Sequence, residues 1–133
     1  MPSSTWEPNR REQRVVDILA AIARISRYIE GLTREAFLGD DLRQDAVLRQ
    51  LLIVAEACDK IEAIEQKANL PLENKLAIRQ PKIPWRNIRD MGIRIRHMYG
   101  SIDPELIWEV CASDTSLAQL RAALLYEFPN LRR

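Results

Sequence analysis

The stretch VVDILAAIARISRYIEGL, residues 15–32, decides the fold. Its apolar positions Val15, Ile18, Leu19, Ile22, Ile25, Ile29 and Leu32 recur at three- and four-residue steps, which draws one stripe along an α-helix. Gly31, near the end of the stripe, is the residue type that stops a helix. The next apolar series, Val47, Leu51, Val54, Cys58 and Ile61, has the same period and runs to about Glu65. Asp41 and Gln44 fit a capping box at its start. Both segments are long enough to pair as an antiparallel helical hairpin.

Pro71 and Pro81 bracket a connection with room for one short helix. Pro84 pre-sets the first turn of a third helix, Trp85 to about Met98, which Gly100 is expected to end in the left-handed conformation. Asp103 followed by Pro104 caps a helix from Glu105 to about Ala112. Asp114, Thr115 or Ser116 opens the last helix, through Leu117, Leu120, Leu124 and Leu125. No alternating strand pattern of useful length and no internal repeat appears. The expectation is an all-α, single-domain bundle of about five helices spanning residues 1–133.

Composition narrows the function classes without choosing one. The 133 residues suit one hydrophobic core, and 47% apolar with 29% charged residues is ordinary globular usage. The apolar run Leu51 to Ala55, like every other in the chain, is far below the roughly 20 residues a membrane span needs. The N-terminus lacks an apolar signal-peptide core, so a cytoplasmic location is expected. Cys58 and Cys111 sit inside helical patterns and read as reduced core thiols. The four scattered glycines make no phosphate-cradling loop, and neither cysteine has a close partner for zinc, so no metal or cofactor is expected. Glu56, within a mostly apolar stretch, reads as a paired structural carboxylate. Trp85, Trp108 and Trp6 could stack on bases, although the first two sit on helical patterns and read as core or interface anchors.

Formal charge is only +1, but sixteen of the twenty basic residues are arginines, whose planar fork suits phosphate. Between Arg79 and His97 there are six basic residues (Arg79, Lys82, Arg86, Arg89, Arg94, Arg96) against one acid, Asp90. A cationic helix around the chain's one histidine is either a solvated face or the footprint of a phosphate-binding surface.

Specific residues favour the second reading. The runs VVDILAAIARISRYIEG and EAFLGDDLRQDAVLRQLLIVAEACDKI, then IPWRNIRDM and RHMYGSIDPELIWEV, resemble the HepT-like branch of the HEPN superfamily along nearly the whole chain. Trp85, Ile88, Met91, His97, Tyr99, Asp103 and Trp108 fall on the family's landmark positions, and Ala55 stands where glycine is usual. The resemblance implies a metal-independent ribonuclease, the toxin of a toxin–antitoxin pair, with two motifs facing each other in a homodimer. That motif is an arginine, four to six residues, a histidine, one residue and a tyrosine. His97 and Tyr99 match it; the arginine position is Gly92. Arg94, three residues before His97, or Arg89, two turns away along the same side, are the candidates to replace it, and Arg86 and Arg96 the further RNA contacts. The resemblance also implies a partner: an MntA-like nucleotidyltransferase antitoxin that uses ATP and magnesium to attach AMP to Tyr99. Should the Gly92 departure have cost cleavage, the chain would be a non-enzymatic helical partner of that protein.

The chemistry asks for little beyond these residue types. Metal-free RNA cleavage needs a base for the 2′-hydroxyl, an acid for the leaving oxygen and a cation for the charge on phosphorus. Histidine can serve either proton role near neutral pH, but one histidine cannot serve both in one step. A two-fold dimer would supply the second.

Overall fold

The computed structural model describes residues 8–112 and 116–131, and among them it contains helices and no strand. Seven α-helices follow in order: α1 (Pro8–Ile29), α2 (Arg34–Leu38), α3 (Asp41–Lys67), α4 (Leu76–Arg79), α5 (Trp85–Met98), α6 (Pro104–Ala112) and α7 (Ser116–Glu127). The all-α expectation holds, with α1, α3, α5, α6 and α7 where periodicity placed them. Trp6, Asp114 and Thr115 lie outside the described residues.

The hairpin of α1 and α3 is the frame. Val15, Ile18, Ala21, Ile22 and Ile25 on α1 are all buried, as the stripe requires. Each large aliphatic side chain so buried contributes roughly 1.5–3 kcal/mol against exposure. Gly31 ends the segment with φ +75°, a backbone setting that glycine adopts without a Cβ clash.

α3 runs through both apolar clusters of the core. One gathers Val15, Ile18, Val54, Ile61, Leu120 and Leu124; the other gathers Ile25, Phe37, Val47, Leu51, Ile95 and Ile107. Trp108 meets Phe37 at 5.3 Å between ring centroids, and the Trp85 indole donates to the Gln80 carbonyl at 2.9 Å, so both tryptophans are structural anchors.

Three local expectations are corrected. The capping residue of α3 is Asp40, whose Oδ1 accepts from the Arg43 N–H at 3.0 Å. Gln44 instead donates to the carbonyls of Phe37 and Leu38, closing the end of α2. α2 itself is a separate helix that periodicity passed over, capped by Thr33 accepting from the Ala36 N–H at 3.1 Å. Gly100 is not left-handed, because the chain tightens past Met98 into a 3-10 turn, Tyr99–Ser101. Asp103 does cap α6, accepting from the Glu105 N–H at 3.0 Å.

One buried carboxylate knits the frame together. Glu65, 3% exposed, accepts from Arg11 of α1 at 2.8 Å and from the Leu76 N–H, which opens α4, at 3.1 Å. Both contacts compensate the cost of burying its charge.

Candidate functional site

α5 carries the candidate residues, and its rotation decides their environment. Its buried line is Gly92 and Ile95, set against α3. With 3.6 residues per turn, Arg89 and Arg96 fall on the flank turned toward α3. Arg86, Asp90, Arg94 and His97 fall together within a sector of roughly 80° on the opposite, exposed flank.

The two flanks differ electrostatically. Arg89 donates to Asp59 of α3 at 3.1 Å and also pairs with Glu62. Arg96 stands 3.6 Å from Glu56, the carboxylate read from sequence as paired. Arg79, at the start of the basic run, is held by Glu127. Three of the six cations counted along the sequence are therefore balanced by acids from elsewhere in the fold. The side chains of Arg86, Arg94 and His97 make no ion pair or hydrogen bond to any described residue. Arg89 thus does not lie along the His97 side as its spacing suggested; it is turned onto α3.

The glycine at position 92 has a steric cause. A Cβ built on it would stand 2.6 Å from the Ala55 Cβ, closer than any real pair of carbons packs. The two helices touch here backbone to methyl, and a side chain on α5 is excluded while α3 presents alanine. Gly92 of α5 and Ala55 of α3 are thus in direct contact.

Around the open flank the surface is partly apolar. Tyr99 is 49% exposed and Met98 48%, with Ile93 and Leu106 also exposed nearby in the chain. The Tyr99 hydroxyl makes no hydrogen bond to a described residue. Beside the open flank a cleft of about 590 Å³ runs between α3, α5, α6 and α7. Asn87, Asp90 and Arg94 stand at its mouth over an apolar floor that includes Met91, Ile102 and Ile107.

Other features are structural. Burial pushes the Cys58 and Cys111 thiols up to about 12, and both are free. Among the described residues no cluster of His, Cys, Asp and Glu could hold a metal ion, and no helix is long and apolar enough to cross a membrane. Sequence reading missed the pairing of α5 with α3. Its signal was present: Glu56, Asp59 and Glu62 recur at helical steps, as Arg89 and Arg96 do.

Sequence comparison relates the chain as a whole to known proteins. The chain is 32% identical over 98 residues to "Probable ribonuclease HepT" of Thermococcus cleftensis, covering 74% of this chain and 79% of that one. It is 29% identical over 94 residues to a Methanocaldococcus jannaschii protein carrying a provisional RNase name, covering 71% and 69%. No solved structure matches significantly. The family model described as "Ribonuclease HepT-like" matches residues 18–125, a span that holds the second half of α1 and the whole of α3 and α5, and the chain belongs to this HepT-like ribonuclease family.

Proposed function

We propose that the chain is a HepT-type toxin that cleaves RNA without metal at a site shared by two copies, and that an MntA-like nucleotidyltransferase antitoxin silences it by attaching AMP to Tyr99. The observation that carries the reading is the open flank of α5. There the chain's one histidine is exposed beside two arginines that form no ion pair with any acid among the described residues.

In this mechanism one His97 takes the proton of a ribose 2′-hydroxyl, whose oxygen attacks the adjacent phosphorus. The bond to the 5′-oxygen breaks, and the His97 of the second copy protonates that leaving oxygen. The products are a 2′,3′-cyclic phosphate and a 5′-hydroxyl. Arg94 stabilises the charge gathered on the non-bridging oxygens, the role Gly92 cannot fill, while Arg86 holds the neighbouring phosphate. Arg89 and Arg96 act through α3, fixing the helix that carries His97. The exposed Met98, Ile93 and Leu106 suit the contact between copies.

Silencing needs a reachable hydroxyl, which half-exposed Tyr99 offers. Its oxygen attacks the α-phosphorus of ATP, pyrophosphate leaves, and the hydroxyl proton passes to solvent or to a base of the antitoxin. The resulting phosphodiester places negative charge and a bulky base two residues from His97, where both oppose RNA.

His97→Ala is expected to lower RNA cleavage by roughly 100-fold or more with the helical signal and melting temperature unchanged. Cleavage that survives this change would reject the mechanism. With the partner, ATP and magnesium, intact mass should show one or more AMP additions that Tyr99→Phe prevents; an unmodified but tightly held complex would point to occlusion instead. A second reading, a non-cleaving member that only binds the antitoxin, is favoured by one observation: the motif arginine is replaced by a glycine packed against Ala55. RNA left intact by the purified wild-type chain, with the antitoxin still bound, would select it.

A further inference from the structure

We propose that the cleft between α5 and α6 is a base-reading subsite, and that it selects guanine beside the phosphate that Arg94 and His97 hold. This rests on the ribonuclease reading and adds to it a sequence preference. The starting point is Asp90. It is the one acid in the open sector, four residues from both Arg86 and Arg94, yet it pairs with neither. On a surface that must attract a phosphodiester, a free carboxylate repels the ligand unless the ligand also brings donors to it.

The position of Asp90 supplies such a ligand. With Asn87, one helical turn away, it stands at the mouth of the cleft over an apolar floor. Arg94 lines the same mouth and lies three residues from His97. A nucleotide whose phosphate meets Arg94 therefore has its base within reach of the cleft. The volume, about 590 Å³, is in the range of small-ligand sites and amply holds one purine. Met91 and Ile102 offer apolar surface for the base faces.

The donor pattern selects the base. A carboxylate has two acceptor oxygens and, among the four bases, guanine alone presents two adjacent donors on its pairing edge, N1–H and the exocyclic amino group. The Asn87 amide can donate to guanine O6. Adenine and cytosine offer the carboxylate a single amino group, and uracil a single N3–H between two carbonyls. A second copy of the chain is the competing occupant, but two charges of opposite sign and an amide at the mouth suit a polar-edged ring better than a helix-to-helix seam.

The test uses 2′-O-methyl oligouridylates carrying one central G, A or C, or none, which bind without being cut, read by fluorescence anisotropy on the wild-type chain, Asp90→Asn and Asp90→Ala. The wild type should favour the G oligomer roughly tenfold over the others. Both variants should bring all four to within about threefold of one another while keeping or raising affinity overall, since a repelling charge is gone. Loss of charge alone would shift every oligomer equally, so the change in preference is what a merely electrostatic or structural Asp90 would not produce. Equal binding of all four by the wild type, or no binding of any, overturns the proposal. So does a preference for the G oligomer that survives Asp90→Asn and Asp90→Ala unchanged, which would put base reading outside this cleft. Cutting of unmodified RNA is measured separately: activity without base preference sinks this inference alone, and base preference without activity sinks the nuclease reading alone.

Discussion

The two flanks of α5 are built from the same residue types and end in different chemistry. On one, Arg89 and Arg96 face Asp59, Glu62 and Glu56 of α3; on the other, Arg86, Arg94 and His97 face solvent. The first is a half-exposed ion-pair seam, worth roughly 0–1 kcal/mol per pair. The second is charge that no described acid pairs, and in the proposed function it meets RNA. A count of basic residues along the chain cannot tell them apart, because the acids that neutralise one flank lie about thirty to forty residues upstream on another helix.

The sharpest way to break this contrast is to remove one arginine from each flank. Arg94→Ala should lower RNA cleavage by roughly a hundredfold with little change in melting temperature. Arg89→Ala should leave cleavage within about threefold and lower stability by less than about 1 kcal/mol in denaturant unfolding. Equal losses of activity would mean the flanks do not differ in function.

The line between the flanks gives the next test. Gly92→Arg should lower unfolding stability by about 1–3 kcal/mol or more, because its Cβ has no space beside Ala55. Adding Ala55→Gly should recover most of that loss. A single Gly92→Arg variant as stable as the wild type would show that α5 can lift from α3 at no cost.

The smallest effect concerns the thiols behind the α3-facing side. With Cys58 and Cys111 held near 12 by burial, the thiolate fraction at neutral pH is negligible, and the folded chain should resist iodoacetamide that labels it readily in denaturant. The sign for stability follows: the unfolded thiols ionise from about pH 9 while the folded ones keep their protons, so this contribution is intact below that pH and declines as pH rises toward 12. Rapid labelling under native conditions would contradict the packing of α3 and α6.

Much of the fold was legible because long helices repeat their signal. The α1 stripe, the Gly31 stop and the Asp103 cap are all where residue type put them. α2 was not legible, since five residues are fewer than two turns and Phe37 alone is buried on it. Glu65 was not either, because its partners Arg11 and Leu76 come from two other elements. At the site, His97 stood out as a lone histidine in a basic helix with a matching family pattern. The state of each arginine depended on tertiary neighbours and was beyond reach of spacing.

The Gly92–Ala55 contact also orders the routes by which such a chain can change. From the present pair, a side chain at position 92 is tolerated only after position 55 has become glycine; the reverse order passes through a crowded, destabilised intermediate. Two positions thirty-seven residues apart in sequence thus behave as a single heritable unit, and the step that would install an arginine on α5 begins with the loss of a methyl group on α3.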